Sequence, residues 1–367
     1  MEELDMIDHP TAVRQGEELD VGRLAAYLHE NLPGTAGPLT IDQFPGGYSN
    51  LTYLLRIGDR DDKQRQQREL VLRRPPFGAN IRGGHDMGRE YRILTAPIDT
   101  YGKVPRPVLY CEDESVLGAP FYVMERVRGV ILRNKIPPGM LLVPGLMHDI
   151  CLGLINAMVE LHALDIQAVG LCDLGNPEGF TARQVAGWTR RYQNAITDDC
   201  PDLGPLTSWL ADHLPVYSDA TLIHNDFRYD NAVLDPADLT RILAILDWEM
   251  ATIGDPLTDV GVSLAYWAEP EDPEVLRQFG LTSLPGNLDR QQFLQQYTER
   301  SGRDISGFLF YYVYGLFKNA VIVLQIYARY RQGKTQDRRF AGLIHIVRAC
   351  NEMAGRAINQ QKISHLY

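Results

Sequence analysis

The 367-residue chain is long enough for two domains of ordinary size, and its 45% hydrophobic and 23% charged content is that of a globular protein. A formal net charge of −11 repels polyanions over most of the surface, which argues against nucleic acid or an anionic membrane as partner. Cys111, Cys151, Cys172, Cys200 and Cys350 are odd in number and scattered without CxxC or Cys/His ligand spacing, so neither a disulfide framework nor a zinc site is expected.

The acidic start, MEELDMIDHP, lacks the basic region and apolar core of a signal peptide, and the expected compartment is the cytoplasm. Residues 1–18 read as a loose acidic arm. Asp20 then has the character of an N-cap for a helix to about Leu32, with Val21, Leu24, Ala25 and Leu28 at helical spacing. From Leu39 the pattern changes to short strands: Leu39–Phe44, a Pro45-Gly46-Gly47 turn, Leu51–Ile57, a polar loop, and Leu70–Arg73. This order reads as an antiparallel meander. A helix is expected over His85 to about Ala96. Pro107–Cys111 and Phe121–Val127 read as further strands joined by a hairpin through Glu112–Gly118.

After Gly129 helices dominate, at His148–Leu164, Thr181–Ala195, Asp289–Arg300, Ile305–Tyr330 and Phe340–Ile358. Phe308–Ala328 approaches membrane-spanning length, but it contains Lys318, Asn319 and Gln325 without flanking positive loops and reads as a buried core helix. Short strands interrupt the helices at Leu222-Ile223, Ala232–Leu234 and Ile242–Leu246. The expected fold class is α+β with two lobes. An arm and helix (1–37) precede a small antiparallel β-rich lobe (38–127), and a larger, mainly helical lobe (128–367) follows. Ligands bind in such inter-domain crevices.

The most informative segment is His224-Asn225-Asp226-Phe227-Arg228-Tyr229-Asp230-Asn231. It fits H-x-D-x-x-x-x-N, the catalytic-loop pattern of protein kinases, with Asn225 in place of the arginine. The spacing has a chemical reason: an aspartate takes or orients the proton of an acceptor hydroxyl, and an asparagine five positions on turns back to a magnesium ion on the phosphates. The strand pair that follows delivers Asp247, a carboxylate able to bind metal, in Asp247-Trp248-Glu249.

HNDFRYDN, LAILDWEMATIGDPLTDVG and FPGGYSNLTYLL together resemble the aminoglycoside phosphotransferase superfamily. They are most similar to the kinase-like domains related to those fused to some acyl-CoA dehydrogenases, over roughly residues 38–350. The resemblance implies a two-lobed protein-kinase-like fold, ATP or GTP as donor, Mg²⁺, and a small hydroxyl-bearing acceptor. Acceptors across the family include aminoglycosides, choline, homoserine and hydroxyacyl-CoA compounds. Position by position, it makes Asp226 the catalytic base and Asn231 and Asp247 the metal ligands. Asp259 becomes the helix-start aspartate that steadies the catalytic loop, and His224 a packed support without a chemical step.

On the donor side, Gly46, Gly47 and Ser49 lie in the first turn, where backbone N–H groups and a hydroxyl can approach phosphate. Arg73 stands where kinases carry a lysine; its planar fork grips two oxygens but is not interchangeable with an ammonium. Glu90 is the expected ion partner of Arg73, and Arg74 is expected on the opposite face of the strand. By resemblance, Met124 borders the purine pocket and backbone groups of Glu125 to Val127 meet the purine edge.

Acceptor-side candidates are Trp188, Arg190, Arg191, Tyr192, Tyr266, Trp267, Tyr311, Tyr314 and Lys318, although aromatic residues at helical spacing commonly pack a core. The sequence does not choose an acceptor or an oligomeric state. Two competing readings are a kinase-like module that holds nucleotide without transfer, favoured by Arg73, and a protein kinase, disfavoured because Asp255 and Asp259 leave no room for a long activation segment. A metal-dependent hydrolase lacks a second cluster of ligands.

Overall fold

A computed structural model describes residues 7–45, 49–58, 67–78, 85–137, 139–216, 219–335 and 337–367. Helix α1 (Val21–Asn31) starts where Asp20 accepts the N–H of Arg23, and it buries Leu24 and Leu28. It packs on a sheet built from β1 (Leu39–Gln43), β2 (Leu51–Ile57) and β3 (Arg68–Arg74). Helix α2 (Met87–Thr95) follows, N-capped by Asp86. Strand β4 (Pro107–Cys111), the short helix α3 (Glu114–Leu117) and β5 (Phe121–Glu125) complete this half. The five strands run antiparallel in the order β1-β2-β3-β5-β4. The connection expected as a plain hairpin contains α3, because Asp113 caps Ser115 and Gly118 ends the turn in the left-handed region at φ 80°.

Strand periodicity decides which side chains reach the interior of the molecule. Leu51, Tyr53, Leu55, Leu70 and Leu72 bury one face of the sheet in a small core shared with Leu24 and Leu28. Leu54, Val71, Tyr122 and Met124 join the main core on the other face. Arg73 shares the parity of Val71, and the neighbouring Arg74 turns the other way, stacking its guanidinium 3.7 Å over the Phe77 ring.

The remaining chain is mostly helical. Helix α4 (Pro144–His162) begins four residues before the expected start, with Pro144 in its first turn, where the missing N–H costs nothing. Helices α5 (Phe180–Ala195) and α6 (Gly204–Asp212) follow. Then come β6 (Thr221–Ile223), β7 (Ala232–Leu234), β8 (Ile242–Ile245) and β9 (Thr252–Gly254), with β6 pairing β9 around the β7–β8 hairpin. The chain ends with α7 (Pro256–Ala265), α8 (Glu274–Arg277), α9 (Arg290–Ser301), α10 (Phe308–Arg331) and α11 (Leu343–Gln360).

Helix α10 has the length and composition to cross a membrane, yet 78% of its most apolar 18-residue window is buried within the protein. It crosses α7 with backbones touching. A Cβ on Gly315 would lie 2.4 Å from the Gly261 carbonyl oxygen, and one on Gly261 would lie 2.3 Å from that of Tyr311.

The amino-terminal arm is ordered over its described part, contrary to the expectation of a loose segment. Thr11 and Gln43 exchange backbone hydrogen bonds of 2.7 and 2.8 Å beside β1. The Asp8 carboxylate accepts from Arg133 at 2.6 and 3.1 Å, and its carbonyl accepts from Arg126 at 2.8 Å. Paired cations and a paired sheet edge hold a segment whose composition alone gives no reason to fold.

Candidate active site

Between the sheet and the helical half lies a cleft of ≈ 540 Å³, a volume typical of ligand sites. Arg73, Glu90, Met124, Glu125, Val127, Asn231 and Asp247 all border it. Gly46 and Gly47 lie outside the described residues. Ser49 bonds the Glu249 side chain.

The loop that carries Asp226 leaves β6 and ends in a 3₁₀ turn, Tyr229–Asn231, before β7. Its shape is imposed from below by Asp259, in the first turn of α7. The buried Asp259 carboxylate accepts the N–H of His224 at Oδ2 and of Asn225 at Oδ1, both at 2.7 Å. His162 Nε2 lies 3.2 Å from the same Oδ2, and His162 Nδ1 is 2.9 Å from the Tyr297 hydroxyl. Burial works against the Asp259 charge, but the hydrogen bond from His162 and the histidine and amide neighbours outweigh it, so the carboxyl sits below its ordinary range.

His224 joins the loop to the strand that ends at Asp247. Its Nε2 donates to the Leu246 carbonyl at 2.9 Å, and its Nδ1 accepts the Asp226 N–H at 3.3 Å. Those two bonds define a neutral ring protonated at Nε2. The ring packs edge-on against Trp248 at 4.8 Å. The Leu246 N–H donates to the Asn231 carbonyl at 2.7 Å, so Asn231 and Asp247 stand side by side. Asn231 Nδ2 donates to the Asp226 side chain at 2.8 Å, which leaves its amide oxygen as an acceptor at the cleft.

Two residues here hold left-handed backbone: Asn225 at φ 67° and Asp247 at φ 65°. Such a conformation costs an ordinary L-residue about 1–2 kcal/mol, and Asn and Asp bear it best. At both positions the turn aims a neighbouring or own carboxylate into the site.

The sheet contributes Arg73. Its Nη2 lies 2.9 Å from Asp247 Oδ1 and 3.5 Å from Glu249, and its Nε is 3.3 Å from Glu90. Burial alone would favour loss of the Arg73 proton, but Glu90 and the other acids hold it firmly cationic. Glu90 is raised by its burial, and Arg73 offsets part of that. Helix α2 also grips the turn after β8, since Arg89 donates to the carbonyls of Glu249 and Ala251.

Glu249 was not singled out in the sequence, although its spacing in Asp247-Trp248-Glu249 brackets a buried Trp248 and brings both acids to one side. Burial and then Asp247 push the Glu249 carboxyl up to about 8, and Asn50 Nδ2 donates to it at 2.7 Å. Arg228 was missed as well. It sits inside the motif itself, with Nε 3.0 Å from Asp226 and its guanidinium 4.8 Å over the Tyr266 ring. Nothing in the sequence marks Asp8 and Arg133, which reach the cleft only because the chain folds back.

The purine-edge expectation narrows: the Glu125 N–H donates to the Arg106 carbonyl at 2.8 Å and is spent within the fold. Several acceptor-side candidates are core residues. Tyr192 accepts the Leu203 N–H, Tyr311 donates to Asp255, Trp267 donates to the Leu288 carbonyl, and Tyr314 reaches Gln184. Arg190 and Arg191 are exposed, Tyr266 is half-buried, and Trp188 is buried beneath Arg191 at 4.3 Å.

The architecture is that of two-lobed, kinase-like phosphotransferases. The chain belongs to the phosphotransferase enzyme family, whose model matches residues 40–294. It is 35% identical over 331 residues to acyl-CoA dehydrogenase family member 11 of Gallus gallus, covering 88% of this chain and 41% of that protein. It is 34% identical over 331 residues to acyl-CoA dehydrogenase family member 10 of Mus musculus, covering 89% of this chain and 30% of that one. The chain thus spans less than half the length of these curated relatives. Among solved structures, a Ralstonia eutropha protein assigned to the aminoglycoside phosphotransferases superposes with a TM-score of 0.78 at 31% identity, over 94% of this chain and 99% of that one. A Plasmodium vivax ethanolamine kinase shares the fold at 11% identity and a TM-score of 0.57, over 88% of this chain and 84% of that one.

Proposed function

We propose that the chain transfers the γ-phosphoryl group of ATP, or of GTP, to a hydroxyl of a small molecule. The observation that carries this reading is the grouping of Asp226, Asn231 and Asp247: Asn231 and Asp247 line the cleft, Asp226 accepts from Asn231 at 2.8 Å beside it, and Asp247 is paired with Arg73. Two phosphotransferases of the same fold were solved with nucleoside diphosphates, one with GDP and another with ADP, the products expected of GTP or ATP as donor.

The donor set fits a hard cation, since the Asn231 amide oxygen and the Asp247 carboxylate line the cleft together, and the Glu249 carboxyl shares the Arg73 guanidinium with Asp247. A bound Mg²⁺ would neutralise phosphate charge there. Arg73 offers a buried, permanently charged fork toward the phosphates. Met124 and Val127 border the end of the cleft assigned to the purine. Asp226 orients the acceptor hydroxyl and receives its proton. The acceptor oxygen bonds to phosphorus as the bond to the bridging oxygen breaks and the nucleoside diphosphate leaves.

The acceptor is a small alcohol. Hydroxyacyl-CoA is the first to test, because the curated relatives are named as acyl-CoA dehydrogenases. Labelled ATP with a panel of hydroxyacyl-CoA, aminoglycosides and amino alcohols identifies it. Asp226→Asn should cut acceptor-dependent turnover by about 10²–10⁴-fold while nucleotide binding persists. Native turnover in that variant would remove Asp226 from its role.

A second reading, a nucleotide-holding module without transfer, rests on Arg73, which is engaged by Glu90, Asp247 and Glu249 together. ATP consumption that fails to rise with any hydroxyl acceptor would favour it.

A further inference from the structure

Lys318 is the only Asp, Glu, Lys or Arg between Phe308 and Ala328, and it is 2% exposed. A buried ammonium ordinarily calls for a carboxylate partner. Lys318 instead donates to a backbone carbonyl, that of Asn225, at 3.1 Å, and lies 3.4 Å from the Asn225 amide oxygen. That carbonyl belongs to the peptide unit joining Asn225 to Asp226. The other end of the unit, the Asp226 N–H, is taken by His224 Nδ1, and the preceding N–H by Asp259. The peptide that aims Asp226 is therefore held at both ends, at a residue already forced to φ 67°.

The placement is built into the fold. Gly315 lets α10 touch α7 at Gly261, and Lys318 lies one helical turn beyond Gly315 on the same face. Asp259, two residues before Gly261, serves the same loop from α7.

We propose that Lys318 is a positioning residue for phosphoryl transfer: its ammonium clamps the Asn225–Asp226 peptide and keeps Asp226 directed at the acceptor hydroxyl. The inference rests on the reading of Asp226 as the base for that hydroxyl. The charged groups facing Lys318 are Asp226 from the loop and Asp259 from α7, which favour its protonated form, and Arg191 from α5, which opposes it. The Trp188 ring is 5.9 Å from its nitrogen. Burial outweighs the two acids and lowers the ammonium to about 8, so the clamp is lost as pH rises through that value.

The test compares Lys318→Met and Lys318→Arg with the native protein, using Mg²⁺–ATP with water standing in for the acceptor hydroxyl. In the native protein kcat should fall on the alkaline side near pH 8. Lys318→Met should lower kcat at least about tenfold with KM for ATP within about twofold, and should show no such alkaline fall. Lys318→Arg should recover most of kcat and hold it at alkaline pH. In ligand-free protein, amide exchange at Asn225 and Asp226 should quicken in the methionine variant while α10 stays protected. Native exchange and native kcat in that variant, or an unchanged alkaline limb in the arginine variant, would overturn the clamp. Should the methionine variant fail to fold, the arginine variant decides through its pH profile. Asp226→Asn run alongside separates the two claims: if it hydrolyses ATP at the native rate, the functional reading falls, and if it is inactive while both Lys318 variants behave natively, only the clamp falls.

Discussion

Arg73 on β3 and Asp247 after β8 form an ion pair between the sheet and the helical half of the molecule, with 2.9 Å between Nη2 and Oδ1. Asp247 is a proposed metal ligand and Arg73 a proposed phosphate contact, so in the ligand-free protein the two hold one another in place.

Removing the cation leaves Glu90, Asp247 and Glu249 facing each other with nothing between them. Breaking a buried pair in this way costs about 3–5 kcal/mol. Arg73→Met should therefore destabilise the fold in urea titrations by that order and weaken ADP binding at least about tenfold by calorimetry. Arg73→Lys keeps the charge but not the fork and should fall between. Native ADP affinity in Arg73→Met would exclude Arg73 from the phosphate site.

Glu249 has the opposite character, because the fold holds its proton. Its carboxyl is raised from 4.5 to about 8, so the native state binds a proton that the unfolded chain has released between those values. Its contribution is fully present below the unfolded pKa and is lost as pH rises through about 8. Glu249→Gln, which stays neutral, should raise Tm at pH 8 by at least about 2 °C and flatten the pH dependence of melting above pH 5. The same variant should bind Mg²⁺–ATP less tightly. A Tm at pH 8 equal to or below that of the native protein would contradict the assignment.

Asp259 titrates in the other direction. Its pKa is depressed, so its contribution is present above the unfolded carboxylate value and is lost as pH falls through the lower folded value. Asp259→Asn cannot accept both loop N–H groups as an anion and should lower stability by about 2–4 kcal/mol. Its kcat should drop at least about 10²-fold because the loop carrying Asp226 loses its anchor. An acid-unfolding curve that matches the native one would show that the charge does not matter.

Gly315→Ala and Gly355→Ala make a matched pair of helix substitutions. The first drives a Cβ to 2.4 Å from the Gly261 carbonyl, whereas the second meets nothing within 4 Å. Overpacking should cost the first about 1–3 kcal/mol. The second, in the interior of α11, should gain about 0.5–1 kcal/mol from helix propensity. Melting temperatures that move together would refute the close crossing of α7 and α10.

The sheet and the long helices were legible because their signals are local. An apolar run marks β2 to the residue, Asp20 and Asp289 mark helix starts, and the apolar run after Gly307 marks α10. The motif 224–231 and the strand pair ending at Asp247 likewise announce themselves by spacing. Helix α6 was not anticipated, and α7 only through the resemblance that made Asp259 a helix-start aspartate. Helix α6 is short with two buried leucines, and α7 is buried on all sides, which erases the amphipathic stripe. Arg74 facing away from the site followed from strand parity alone, but the aromatic residues that proved to be core could not be sorted from pocket residues, since both look alike along a helix. Contacts such as Lys318 with Asn225 and Asp8 with Arg133 join residues 93 and 125 positions apart and exist only once the chain has folded.

The ordered arm gives one end of the polypeptide a share in the ligand cleft. Ile7 and Asp8 form part of its wall while Thr11 is stitched to the sheet. Tryptic nicking at Arg14 would strip that wall away and spare every side chain assigned to chemistry, so trimmed protein would hold its nucleotide more loosely yet turn over at an undiminished rate once saturated.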